Sequence, residues 1–212
     1  MSDQDQSRAH ERVYKTLKSD VMLGRISPGT AVTLRGLGEK YNMSVTPIRE
    51  TVRRLAAEGA LRMSNTGRIT TPRLSTDRIE ELAGIRALLE PELAARALPR
   101  AHIALIDRLE SVNKAVDHAV LGDDPSLYIS ANLEFHRALY LRAQAPAMLA
   151  LVETVWLQLG PTMAEMYGKL RRPSASLHHS KIISALKAGD EPSLKLAVRV
   201  DVTQGLRMLT HP

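Results

Sequence analysis

From Thr76 onward the chain carries helix signals and almost no strand signal. In TDRIEELAGIRALLEPELAARAL, Ile79, Leu82, Ile85, Leu89 and Leu93 recur every three or four residues and share one face. That spacing belongs to an amphipathic helix packed on one side. Similar patterns predict helices over about 101–121, 125–143, 146–168, 175–188 and 191–209. GDDP (122–125), QAP (144–146), RRPS (171–174) and GDEP (189–192) break them, and Pro161 predicts a kink in the long fourth helix. Six one-sided helices with short connections can hide their stripes only against one another, which makes an all-α bundle. Pro72 to Thr76 reads as the linker that precedes it.

The first third has a different character. Residues 1–75 hold 13 Lys+Arg and 7 Asp+Glu, a balance of +6, while residues 76–212 hold 16 of each. A basic module on a neutral body suggests a polyanion partner for the module, against the plain alternative of a solubilising charge excess. Aromatic residues are only 3% of the chain, so stacked bases are not the expected mode of binding. The chain has no cysteine, which excludes disulfides, thiolate metal sites and Cys nucleophiles and fits a reducing cytoplasm. No apolar run approaches membrane-spanning length, and the polar N-terminus MSDQDQSRAHER carries no signal core.

Within this module, Val13, Leu17 and Val21 predict a helix over 10–24 that stops at Gly24. Thr33 caps a short helix, Leu34 to Tyr41, that ends at Asn42. Ser44 or Thr46 caps a third, with Pro47 and Glu50 suited to its opening turn. Ile48, Val52, Leu55 and Ala56 form its buried stripe, and Gly59 stops it. Two extended runs, Leu61–Met63 and Arg68–Thr71, flank a hairpin tip at Asn65-Thr66-Gly67. Three short helices and a hairpin are the layout of a winged helix-turn-helix, although periodicity alone also fits a plain three-helix bundle with solvated arginines.

The motifs go further than the periodicity. VYKTLKSDVMLGRISPGT, LRGLGEKYNMSVTPIRETVRRLAAEGAL and NTGRITTP resemble the winged-helix domain of GntR-type bacterial transcription regulators. RALLEPELA, NLEFHRAL and HHSKIISALKAGD are similar to the six- or seven-helix effector domain (FCD type) of the FadR-like branch. The resemblance implies a mainly α protein with a DNA-binding domain over 1–75 and an effector-binding and dimerisation domain over 76–212. It implies that Arg35, Thr46 and Arg49 face DNA and that Gly67 sits at the wing tip. An Arg fork can bind guanine O6 and N7 together, and Thr46 at a helix N-terminus suits a phosphate. Position 45, usually basic in the family, is Val45 here, which shifts the expected base preference toward a thymine methyl. Of Arg53 and Arg54, one is expected on phosphate and the other on the protein's own carboxylates.

The same resemblance implies a metal site in the effector domain. Family members hold a divalent ion with an Asp, a His four residues on, and two more histidines. This chain presents Asn132 and His136 at the first pair, His179 at the third position and Asp201 at the fourth. Two imidazoles, one carboxylate and an amide oxygen suit Zn²⁺, Ni²⁺ or Mn²⁺. Protons are expected to compete with the ion at His136 and His179 near pH 5. The open alternative is a metal-free polar pocket. Arg86, four residues before Glu90, is either a clamp for an anionic effector or one half of a structural ion pair. No nucleophile motif or phosphate loop accompanies these residues, so a metal-dependent enzyme is the weaker reading. The expected protein is a cytoplasmic, homodimeric, non-enzymatic regulator, by default a repressor, that reads a palindromic operator and senses a small organic acid.

Overall fold

The computed structural model describes residues 3–64, 67–122, 124–170 and 174–210. It divides into two compact units: Met1–Leu74 with Leu157–Glu165, and Ser75–Trp156 with Met166–Pro212. No helix among the described residues is long and apolar enough to cross a membrane.

The first unit runs α1 (Asp3–Met22), β1 (Ala31–Val32), α2 (Leu34–Tyr41), α3 (Val45–Ala57), β2 (Arg62–Met63) and β3 (Ile69–Thr70). Leu17 and Val21 of α1, Leu37 of α2 and Ile48, Val52 and Leu55 of α3 close on one apolar core. α2 begins as its sequence predicts. The Thr33 side chain accepts from Gly36 N, and Asn42 ends the helix in the left-handed region at φ 52. α3 starts at the first of its two expected caps. Ser44 occupies the cap position in extended conformation but makes no side-chain cap bond, and Thr46 lies inside the helix. Glu50 is beyond the first turn and bonds Arg53. The hairpin strands pair antiparallel, Met63 opposite Ile69, and β1 adds a third strand, giving the order β1-β3-β2. Of the predicted tip, Asn65 and Thr66 lie outside the described residues.

Asp20 ties α1 to α2. Its carboxylate accepts from Lys40 Nζ and Tyr41 Oη, both at 2.7 Å, and from Arg25 Nη1 at 3.1 Å. Burial pushes the carboxyl up, but the bonds from Lys40, Tyr41 and Arg25 outweigh it and hold the group below the usual carboxylate range. A carboxylate lowered in the fold stabilises above its unfolded value, about 3.9, and that stability goes as pH falls through the folded value. Asp20→Asn is therefore expected to cost about 2 kcal/mol at neutral pH and to flatten the loss of stability below about pH 4. Urea unfolding between pH 3 and 7 reads both effects.

Residues 157–165 belong to the first unit as well. Leu157 is fully buried in its core, and Gln158 Nε2 donates to Glu58 O at 3.0 Å. Gly160 lies so close to the C-terminal end of α1 that a Cβ there would run into the Met22 carbonyl. Gly160→Leu is expected to destabilise this unit by about 3 kcal/mol through overpacking, read by urea unfolding of the full chain.

The second unit is helical: α4 (Thr76–Ala97), α5 (Ile103–Val120), α6 (Pro125–Tyr140), α7 (Pro146–Leu170) apart from 157–165, α8 (Ser174–Ala188) and α9 (Glu191–Thr210). α4 lies along α9, α5 packs on α6 and α8, and α8 packs on α9. Residues 141–143, predicted as the end of the third helix of this unit, form a single 3-10 turn after α6. α4 and α7 continue through Pro91 and Pro161 without a break. Of the predicted breaks, 171–173 and Asp123 lie outside the described residues.

Candidate functional site

Two sets of side chains carry the chemistry, one in each unit. In the first unit, α3 buries Ile48, Thr51, Val52 and Leu55 and leaves Val45, Thr46, Arg49, Glu50, Arg53 and Arg54 outside. The arginines differ in how they are held. Arg54 lies over the Tyr14 ring at 3.5 Å and reaches Glu11 and Glu58. Arg53 meets Glu50 at 3.1 Å, and Arg35 on α2 meets Glu39 at 3.1 Å. These are exposed pairs of the kind worth about 0–1 kcal/mol, so an incoming phosphate can displace them. Arg49 has no ion-pair or hydrogen-bond partner among the described residues. Val45, one turn before Arg49, keeps 41% of its surface exposed. Gly67 has φ +79 with nothing within 4 Å of a Cβ built on it, so at this residue bare backbone can come close to a groove wall.

In the second unit, α6, α8 and α9 bring His136, His179 and Asp201 together, with candidate ligand atoms all within 4.8 Å of one another. Asn132 is buried one turn before His136 on α6 and has no hydrogen-bond partner among the described residues. Both imidazoles have no exposed surface. Phe135 stacks on His179 with ring centroids 3.8 Å apart and turns its edge to His136. Asp201 Oδ2 lies 3.0 Å from His136 Nε2, and Oδ1 lies 3.9 Å from His179 Nε2. Nε2 of both histidines is buried, and the carboxylate of Asp201 is what each faces, in close contact only from His136. A buried polar atom without a partner costs about 1–3 kcal/mol. Two such nitrogens facing one carboxylate form a donor set that a divalent cation satisfies at once.

Electrostatics fits that role. Burial pushes Asp201 up, but the contact with His136 and the nearby positive charge of Arg86 help outweigh it and keep it below the usual range, hence anionic. Burial, with His136 and His178 adding to it, pushes His179 down to about 3 against the pull of Asp201. His179 is therefore neutral, as a ligand must be. The competition expected near pH 5 does not extend to it.

Arg86 stands apart from this donor set. Its Nε donates to Glu90 Oε1 at 2.5 Å and its Nη2 to Oε2 at 3.3 Å, all buried. Tyr140 Oη and Trp156 Nε1 also donate to Glu90, each at 2.9 Å. A clamp on an effector would have to use what Glu90 leaves of the guanidinium. The structural ion pair accounts for the residue as it stands.

Tyr140 and Trp156 of this network were not singled out in the sequence. Tyr140 had a usable signal, since it follows His136 by four residues and so shares its helix face. Glu90 and Trp156 meet it from α4 and α7, and no spacing along the chain announces that meeting.

Comparison with known proteins joins the two sets. The model for "Bacterial regulatory proteins, gntR family" matches residues 9–70, and the model for the "FCD domain" matches residues 81–203. The chain belongs to the GntR family, with an FCD domain. HTH-type transcriptional regulator McbR of Escherichia coli is 25% identical to this GntR regulator over 201 residues, covering 93% of this chain and 91% of McbR. The gluconate operon transcriptional repressor of Bacillus subtilis is 23% identical over 152 residues, 72% of this chain and 60% of the repressor. The solved structure of E. coli McbR/YncC shares the fold with a TM-score of 0.87 at 24% identity, covering 95% of this chain and 96% of that one. The GntR–FCD chain is thus a DNA-binding transcription regulator of a ligand-responsive family and not an enzyme.

Proposed function

We propose that this regulator is a homodimeric repressor, acting in the cytoplasm, that reads a palindromic operator and releases or grips it according to a small organic acid. Residues 1–75 provide the DNA-binding domain and residues 76–212 the effector domain. Arg35, Thr46, Arg49 and the Gly67 tip contact DNA. Asn132, His136, His179 and Asp201 hold Zn²⁺, Ni²⁺ or Mn²⁺, and the effector's carboxylate completes the ion's shell. The observation that carries this reading is the pair of buried, partnerless Nε2 atoms aimed at Asp201. With Asn132 neutral, the four side chains bring one negative charge against the ion's two. The remaining positive charge in a buried setting favours an anionic ligand. A dimer is supported by large apolar side chains that the helical unit leaves mostly exposed, Leu88, Leu121 and Leu177 among them. A palindrome also requires two matched reading heads.

Two measurements test the reading. Protein purified without chelator should contain a divalent metal, melt higher with added Zn²⁺, Ni²⁺ or Mn²⁺, and sediment as a dimer. No metal and no shift with any of the three would leave His136 and His179 as hydrogen-bonding residues for the effector itself. On DNA selected from a random pool, Arg49→Ala should weaken specific binding by about 1–3 kcal/mol and relax base choice at one position of each half-site. At the base pair that Val45 faces, replacing thymine by uracil removes only the methyl group, and it should weaken the parent chain more than Val45→Ala. Normal binding by Arg49→Ala would remove α3 from the groove.

A further inference from the structure

The tautomer of each histidine can be read from what lies behind it, on the side away from Asp201. His136 Nδ1 is 3.1 Å from Tyr140 Oη. Tyr140 has one proton to give, and Glu90 Oε2 takes it at 2.9 Å. Glu90 is the natural acceptor, since Arg86 grips both its oxygens and Trp156 donates to it as well. Tyr140 Oη therefore presents a lone pair to His136, and His136 must meet it with an Nδ1–H.

The second histidine leads to the same answer by a different route. His179 Nδ1 is 3.0 Å from Asn113 Oδ1. The Asn113 amide cannot be turned over, because its Nδ2 donates to the Ser176 carbonyl at 3.2 Å and to Ser180 Oγ at 3.3 Å. Ser180 Oγ already gives its own proton to that carbonyl at 2.8 Å. With the amide reversed, Oδ1 would face a carbonyl oxygen that has no proton to offer. Asn113 thus accepts, and His179 donates from Nδ1. In a neutral imidazole with its proton on Nδ1, the lone pair is on Nε2.

We propose that Tyr140 and Asn113 are positioning residues that hold His136 and His179 as Nδ1–H tautomers, so that both Nε2 lone pairs face Asp201 as a ready cation site. This rests on the metal reading above. Partners behind a ligating histidine orient its ring and raise its basicity, and their loss typically weakens metal binding by about 10–100-fold. Neither residue touches the ion in this scheme, and the two come from separate helices, α6 and α5.

Zn²⁺ competition against a chromophoric chelator, with long-range ¹H–¹⁵N spectra of the histidines at pH 8 on the full chain, tests the proposal. In the metal-free parent, His179 should carry its proton on Nδ1. With Zn²⁺, both histidines should show a protonated Nδ1 and a coordinated Nε2. Tyr140→Phe and Asn113→Leu should each weaken Zn²⁺ binding about 10–100-fold. Melting of the metal-free variants separates this loss from simple unfolding. A proton on Nε2 of His179, or Zn²⁺ affinity unchanged in both Tyr140→Phe and Asn113→Leu, overturns the proposal. Absence of Zn²⁺ uptake by the parent overturns the metal reading and the proposal with it. The proton's place on His179 in the metal-free chain then shows whether the hydrogen-bond assignment itself was right.

Discussion

Arg86→Met is expected to destabilise the protein by about 3–5 kcal/mol, the cost of leaving one partner of a buried ion pair without the other. Glu90 has no exposed surface, and Arg86 supplies the only positive charge among its donors, since Tyr140 and Trp156 are neutral. The loss should appear in urea unfolding of the full chain. The double change Arg86→Met with Glu90→Gln should recover part of it, because the stranded charge is then gone while an amide oxygen remains for Tyr140 and Trp156. A single variant within 1 kcal/mol of the parent would mean that Tyr140 and Trp156 suffice to hold Glu90 without Arg86. A variant that keeps its stability yet no longer responds to an effector would return the guanidinium to the role of clamp.

Asp201→Ala is expected to abolish metal uptake, because it removes the only carboxylate of the proposed ligand set. A cation bound only by the folded state at a hundredfold excess over its Kd adds about 2.7 kcal/mol. For a chain of this size that corresponds to roughly 5–10 °C in Tm. The parent should show that rise with its preferred ion, and Asp201→Ala should show none. Asn132→Asp adds a second carboxylate and should hold the ion at least as tightly as the parent. Metal content after dialysis, alongside melting with and without each ion, reads both variants. A parent-like rise in Asp201→Ala would place the ion somewhere else.

What was legible in the sequence was local. Thr33, Asn42 and the stripe through Ile48, Val52 and Leu55 announce α2 and α3, because caps and periodicity act within a turn or two of chain. The six helices after Ser75 are legible for the same reason. β1 was not, since Ala31 and Val32 become a strand only by pairing with Ile69 and Thr70, far along the chain. The place of Leu157 in the core of the first unit is likewise a long-range fact. At the site, His136, His179 and Asp201 came through motif resemblance, and the structure sets them side by side. Asn113 had no signal at all. It is an unremarkable polar residue on α5 until α8 packs against it and turns its amide.

The stacking of Phe135 on His179, together with the complete burial of both imidazoles, also bears on time. Nothing dissolved in water can reach those nitrogens while the helices stay packed. The rate at which the site fills or empties is then set by local opening of the bundle and not by diffusion. A cation seated there would exchange slowly and outlast brief swings in its free concentration. Such a switch integrates over its surroundings, and its response has a built-in delay that loosening the packing around Phe135 would shorten.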